Sequence, residues 1–132
     1  MAKVSKMETQ ISSGLKTTFL VHLIVGAITG VVLLLIPEVY GNTVNWPIAD
    51  PLPFRLIGAA TLGFAASSWW AYRETEWDSV KIVVQMEVFW TALGTLVLLW
   101  GLIFAGAPVF GWVHAVILAG FAIAFGAFYS RH

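Results

Sequence analysis

The sequence predicts an all-α membrane protein: four transmembrane helices in one antiparallel bundle, with the N and C termini cytoplasmic. Three observations predict it. Four apolar stretches, separated by Pro, Gly or charged turns, take up most of the 132 residues, and each comes close to or exceeds the roughly 20 helical residues needed to cross a 30 Å hydrocarbon core. Apolar residues make up 59% of the chain and charged residues 11%, too few charges to cover the outer faces of a soluble bundle. Lys3, Lys6, Lys16, Arg73, Lys81 and Arg131 fall on one side of a four-crossing layout and Arg55 alone on the other. Because Lys and Arg are retained on the cytoplasmic face, that side is assigned to the cytoplasm of a multi-pass plasma-membrane protein.

The elements follow in chain order. Val4, Met7, Ile11 and Leu15 recur at helical spacing among Lys3, Lys6, Glu8 and Gln10, so residues 1–14 read either as an amphipathic helix lying in the headgroup region or as a frayed tail. No A-x-A site follows, which favours a retained anchor over a cleaved signal peptide. The first span covers 15–36 and is closed by Pro37, which cannot continue a helix. The outer loop, 37–53, holds Asn42, Asn45, Pro47, Asp50 and Pro51; this turn-rich composition suits a passive connector or a flap over the bundle mouth. The second span covers 53–72. The third, 79–105, begins after Asp78, read as its N-cap, and ends at the uncharged reversal Gly106-Ala107-Pro108. The fourth covers 108–129. Trp69, Trp70 and Trp77 then lie near the inner headgroup boundary and Trp46, Trp100 and Trp112 near the outer one, where the indole prefers to sit, while Trp90 lies deeper.

Composition removes several function classes. Cysteine is absent, so thiolate nucleophiles, disulfides, iron–sulfur ligation and Cys-type zinc sites are excluded. A formal net charge of zero gives no basic face for nucleic acid. Phosphate cradles, Ser-His-Asp motifs and H-E-x-x-H are not found. No cofactor is implied. The implied partners are the lipid bilayer and either further copies of the chain or a larger membrane complex.

The run GVVLLLIPEVYG…NWPIADPLPFRLIGAATLGFA resembles the small four-helix bacterial and archaeal membrane families around DoxX and its uncharacterised relatives. In those families a Gly-rich first span ends at Pro and an Arg-x-x-Gly opens the second. The corresponding positions are Gly30, Pro37, Arg55 and Gly58, and the likeness covers about residues 26–66. It implies a four-helix fold and no established activity.

Ionisable groups at membrane depth cost about 2.5–3.5 kcal/mol on insertion scales, so they are functional candidates. His22, Glu87 and His114 qualify. His22 lies six residues past Lys16 and Glu87 six past Lys81, each about 9 Å inside the cytoplasmic boundary at 1.5 Å per residue. Ser67 and Ser68 precede Arg73 by six and five residues on an oppositely directed helix, at nearly the same level. His22 shares a face with Gly26 and Gly30, Glu87 with Thr91 and Gly94, and Ser67 with Gly63. Such small-residue stripes are expected at helix–helix contacts, so His22, Ser67 and Glu87 are expected to point inward and meet.

That cluster, with Thr91, reads as a structural latch or as a proton or solute site. His22 and Glu87 would titrate as a coupled unit. One imidazole and one carboxylate fall short of a normal metal ligand set. His114 lies about 9 Å from the outer side, so its level differs from that of His22 and joint axial ligation of a haem is not expected. It reads instead as an outer-boundary residue bonded to a loop carbonyl or to water. Gln85 points about 160° away from Glu87, toward a neighbouring protomer or beside Lys81, and Glu38 and Arg55 are placed to pair across the outer loop. Asp50 is a further candidate in that loop.

The function expected from these residues is a non-enzymatic bundle acting as a homo-oligomer or an accessory subunit. The alternative is a proton-coupled small-solute carrier or channel using the His22–Glu87 pair. A lipid-phase or quinone-phase enzyme is a weaker third reading, since no nucleophile or metal set accompanies the pair.

Overall fold

The computed structural model describes residues 9–132. They form α1 (Ser13–Leu35), α2 (Pro37–Val44), α3 (Pro51–Arg73), α4 (Trp77–Phe104) and α5 (Gly111–Tyr129). Helices α1, α4 and α5 are long and apolar enough to cross a membrane. Helix α3 equals α1 in length, at 23 residues, but its Pro, Ser, Thr, Trp and Arg side chains make it less apolar.

The first eight positions of the expected interfacial helix lie outside the described residues. Beyond them, Gln10 forms an antiparallel bridge with Glu76, and the Ile11 amide donates to the Thr75 carbonyl at 3.0 Å. Helix α1 begins at Ser13, where the Ser12 hydroxyl accepts from the Leu15 amide at 3.2 Å. Ile11 and Leu15 are buried in a core with Phe19, Trp77, Val84 and Phe125. Ile11 thereby packs beside the α3–α4 turn.

The loop expected over 37–53 contains a helix. Pro37 ends α1 and at the same time starts α2, because a fixed φ and a missing N–H suit a helix's first turn. Asn45 terminates α2 in the left-handed region, at φ 56°, which Asn tolerates. Asp50 then caps α3, accepting from the Leu52 amide at 2.9 Å. Two span boundaries also differ from expectation. Helix α4 starts at Trp77, with Glu76 at the cap position, so Asp78 sits in the first turn and acts on the helix dipole rather than as a cap. Residues Pro108–Phe110 form a tight turn before α5.

The four long helices associate as two pairs, α1 with α3 and α4 with α5, with sparser contact between the pairs. The first pair is built on glycines. A Cβ on Gly58 would stand 2.5 Å from the Leu34 amide nitrogen and 2.8 Å from the Gly30 carbonyl, and one on Gly26 would stand 3.2 Å from the Ala65 Cβ. The buried face of α3 is therefore Gly58, Ala65, Ser68 and Ala71. Gly63, expected at a helix contact, has nothing within 4 Å of where its Cβ would be. Gly94 does meet a neighbour, Leu118 of α5, at 2.9 Å.

Both described ends of the chain lie at one end of the bundle. Ile11 touches Thr75, and His132 stacks on Trp77 with ring centroids 4.3 Å apart. At the opposite end, Arg55 donates to the Leu34 carbonyl at 2.7 Å and the Leu35 carbonyl at 3.3 Å, and to both oxygens of Glu38 at 3.2 and 3.3 Å. Its guanidinium closes two carbonyls at the frayed end of α1, so the expected surface pair is also a helix cap.

Candidate functional site

His22 sits on the Gly26–Gly30 face of α1 and is buried. Its Nδ1 is 2.8 Å from the Ser68 hydroxyl and its Nε2 is 3.3 Å from Glu87 Oε2. Ser68 and Glu87 are both fully buried, so an imidazole, a hydroxyl and a carboxylate from α1, α3 and α4 share one enclosed layer. Phe121 and Phe125 of α5 close it, each edge-on to the imidazole at 4.7 and 5.7 Å.

The hydroxyl bonded to His22 is that of Ser68, with Ser67 about 100° round the helix from it. The face of α3 that meets α1 follows Gly58 and Ala65, which lead to Ser68. Ser67 faces the Glu87 carboxylate, but its proton goes to the Phe64 carbonyl at 2.8 Å. Thr91 is buried one turn beyond Glu87, and its hydroxyl donates back to the Glu87 carbonyl. It contributes no side-chain bond to the cluster. Apart from the His22 contact, neither oxygen of Glu87 has a hydrogen-bond partner among the described residues.

The order hydroxyl–imidazole–carboxylate matches that of nucleophile-activating triads. Here it cannot act as one. Ser68 is sealed between helices, and the amides around it are spent in the α3 ladder, leaving no oxyanion donors. Among the described residues no three metal-binding side chains cluster.

A cavity of about 450 Å³ separates the two helix pairs. His22 lies at its inner end and His114 and Tyr40 at its outer end, with walls that include Phe64, Trp90 and Leu118. Phe64 and Trp90 stack across the gap between α3 and α4, ring centroids 5.1 Å apart. Helix α2 and the turn after it roof the outer end through Tyr40 and Trp46. The Tyr40 hydroxyl is 2.9 Å from His114 Nε2, and burial raises the phenol above its usual value of about 10. The partner of His114 is thus a side-chain hydroxyl of α2, where a loop carbonyl or water was expected, and its Nδ1 has no partner among the described residues.

The remaining candidates serve local structure. The exposed Gln85 amide donates to the Tyr129 hydroxyl of the same chain at 2.9 Å. Asp50 and Arg55 are helix caps. Tyr40 was missed because Pro37 reads as the end of order, and nothing in the loop composition marks Tyr40 as inward. No protein-family model, curated protein or solved structure matches the chain.

Proposed function

We propose that this protein is a non-enzymatic, multi-pass bundle of the plasma membrane that holds an apolar ligand, drawn from the bilayer, between its two helix pairs. One observation carries the reading: the cavity of about 450 Å³ has the size of a small-molecule site and the mainly apolar lining such sites share. Helix α3 makes the fourth crossing in this proposal. Its support is the close contact with α1 along Gly26, Gly30, Gly58 and Ala65, and its length of about 34 Å at 1.5 Å per residue. Lys16, Arg73, Lys81 and Arg131 then mark the cytoplasmic end. Gly30, Pro37, Arg55 and Gly58, on which the DoxX-like resemblance rests, are residues that join α1 to α3.

The test is to fill the cavity. Leu98, a wall residue, is replaced by Trp, and lipids that stay with the purified full chain are identified by mass spectrometry. A species retained by the wild type and lost from Leu98→Trp at unchanged helix content supports the reading. Equal retention by both, or none by either, overturns it.

A second reading, proton-coupled transport, is favoured by the contact of His22 Nε2 with an otherwise unpartnered Glu87 carboxylate. Proteoliposomes under a pH gradient decide it. Flux abolished by Glu87→Gln with stability intact favours transport. Loss of stability with no flux in the wild type leaves the pair as a latch. The association reading draws on Ala59, Ala60 and Gly63, small residues exposed on α3, a face on which a second copy or another subunit can settle.

A further inference from the structure

The cavity is polar at its two ends in different senses. At the inner end both nitrogens of His22 are spent on Ser68 and Glu87, and among the wall hydroxyls that of Thr61 is spent on the Ile57 carbonyl at 2.8 Å. At the outer end capacity is left over. His114 Nδ1 is unpartnered but enclosed, whereas the hydroxyl of Thr29 and the indole N–H of Trp46 make no hydrogen bond within the described chain and both residues line the cavity. Thr29 lies seven residues beyond His22 on α1, about 10 Å further toward the outer side.

Among the described residues, no Lys, Arg, Asp or Glu lines the cavity. A charged headgroup enclosed here would lose its hydration without gaining a counter-charge, a cost of several kcal/mol. A neutral hydroxyl or carbonyl would instead fill hydrogen-bonding positions that now stand open, and leaving buried polar atoms unmatched carries its own cost. Within about 450 Å³, at roughly the 30 Å³ a water-sized group takes up in a liquid, there is room for about 15 such groups.

We infer that the ligand is an uncharged lipid with a single hydroxyl or carbonyl head and an apolar body of about this size, its head held at the outer end by Tyr40, His114 and Thr29 and its body extending toward His22. This rests on the cavity reading above and adds the charge and polarity of the head and the direction of the tail.

Uptake of radiolabelled tetradecanol, tetradecanoic acid and tetradecane by the full chain in detergent, with protein-free micelles subtracted, tests it. Tetradecanol is expected to bind about tenfold more tightly than either of the others, the equivalent of roughly 1.4 kcal/mol. In Tyr40→Phe, His114→Phe and Thr29→Val its advantage over tetradecane should shrink to less than about threefold, with tetradecane uptake unchanged. Thr29→Val and Tyr40→Phe preserve side-chain shape, so they report on the head even where His114→Phe disturbs the fold. Binding of the acid as tight as that of the alcohol overturns the neutral head, and an undiminished preference for the alcohol in all three variants overturns its placement. Equal binding of alcohol and hydrocarbon overturns the head assignment and leaves the cavity standing. Failure of all three to saturate the wild type overturns the cavity as well.

Discussion

Adding one methyl group at Gly58 should split the α1–α3 pair, and the same change at Gly63 should not. A Cβ at Gly58 would lie 2.5 Å from the Leu34 nitrogen, 2.8 Å from the Gly30 carbonyl oxygen and 2.9 Å from the Leu33 carbonyl carbon. Comfortable contact for carbon begins at about 3.5 Å, so the helices must part by about 1 Å, and all three obstacles are backbone atoms that no rotamer change can move. A radial gap of 0.5–1 Å forfeits roughly a quarter to a half of a dispersion contact. Spread along the seam that Gly26, Leu33, Leu62 and Ala65 share, this amounts to about 1–3 kcal/mol, the usual cost of overpacking. Gly63→Ala, with nothing within 4 Å, is the matched control. Both variants receive the same intrinsic preference of Ala over Gly in a helix, so the difference between them isolates the clash. Unfolding of the full chain in mixed detergent micelles, followed by Trp fluorescence, should place Gly58→Ala below Gly63→Ala by 1–3 kcal/mol. A difference under about 0.5 kcal/mol would refute the close seam, and with it the rotation of α3 that brings Ser68 to His22.

Ser68→Ala should cost about 0.6–2 kcal/mol in the same assay, the range for interhelical polar contacts in membranes, and more than Ser67→Ala, whose proton goes to its own helix although the hydroxyl stands beside Glu87; the reverse order would make Ser67 the principal hydroxyl of the cluster. The Tyr40 phenol is raised above 10 by burial, so the folded chain favours the protonated form. Its contribution is complete below about pH 10 and declines as pH climbs through the raised value, hence unfolding free energies at pH 8 and pH 11 should fall further for the wild type than for Tyr40→Phe. Parallel loss in the two would show that the phenol is not enclosed beneath α2.

Much of this arrangement was legible from the residues, for physical reasons that also explain the failures. Depth along a helix follows from residue counts, so the level shared by His22, Glu87 and the serines could be placed, and the structure joins His22 to Glu87. Rotation about the axis depends on which small residues a neighbour selects. Helix α3 carries two such stripes, Gly58–Ala65–Ser68 and Ala59–Gly63–Ser67, on nearly opposite faces, about 170° apart at 100° per residue. Composition does not separate them; only the backbone of α1 pressed on Gly58 does. The outer loop failed differently. Pro37 both ends one helix and starts the next, and pattern alone registers the ending. Tyr40 and the roof over the cavity were lost with α2. The contact of Gln85 with Tyr129 was not legible, because Tyr129 comes from a helix whose facing side the sequence leaves open.

Because α1 and α3 are successive hairpin partners, as are α4 and α5, the helices approach most closely inside two leaves. The line between the leaves is held at the inner end by Leu15, Phe19, Val84 and Phe125 and is thinnest toward the outer end, where the cavity lies. Local opening draws on the least cohesive contacts first. The two leaves can therefore swing apart about the turn at residues 74–76 as intact units, widening the slot that Phe64 and Trp90 bridge, without either leaf losing its own helical register. Under the ligand-holding function proposed above, loading and release of a bilayer-dissolved guest would require only sideways parting into lipid, with neither aqueous face of the membrane breached.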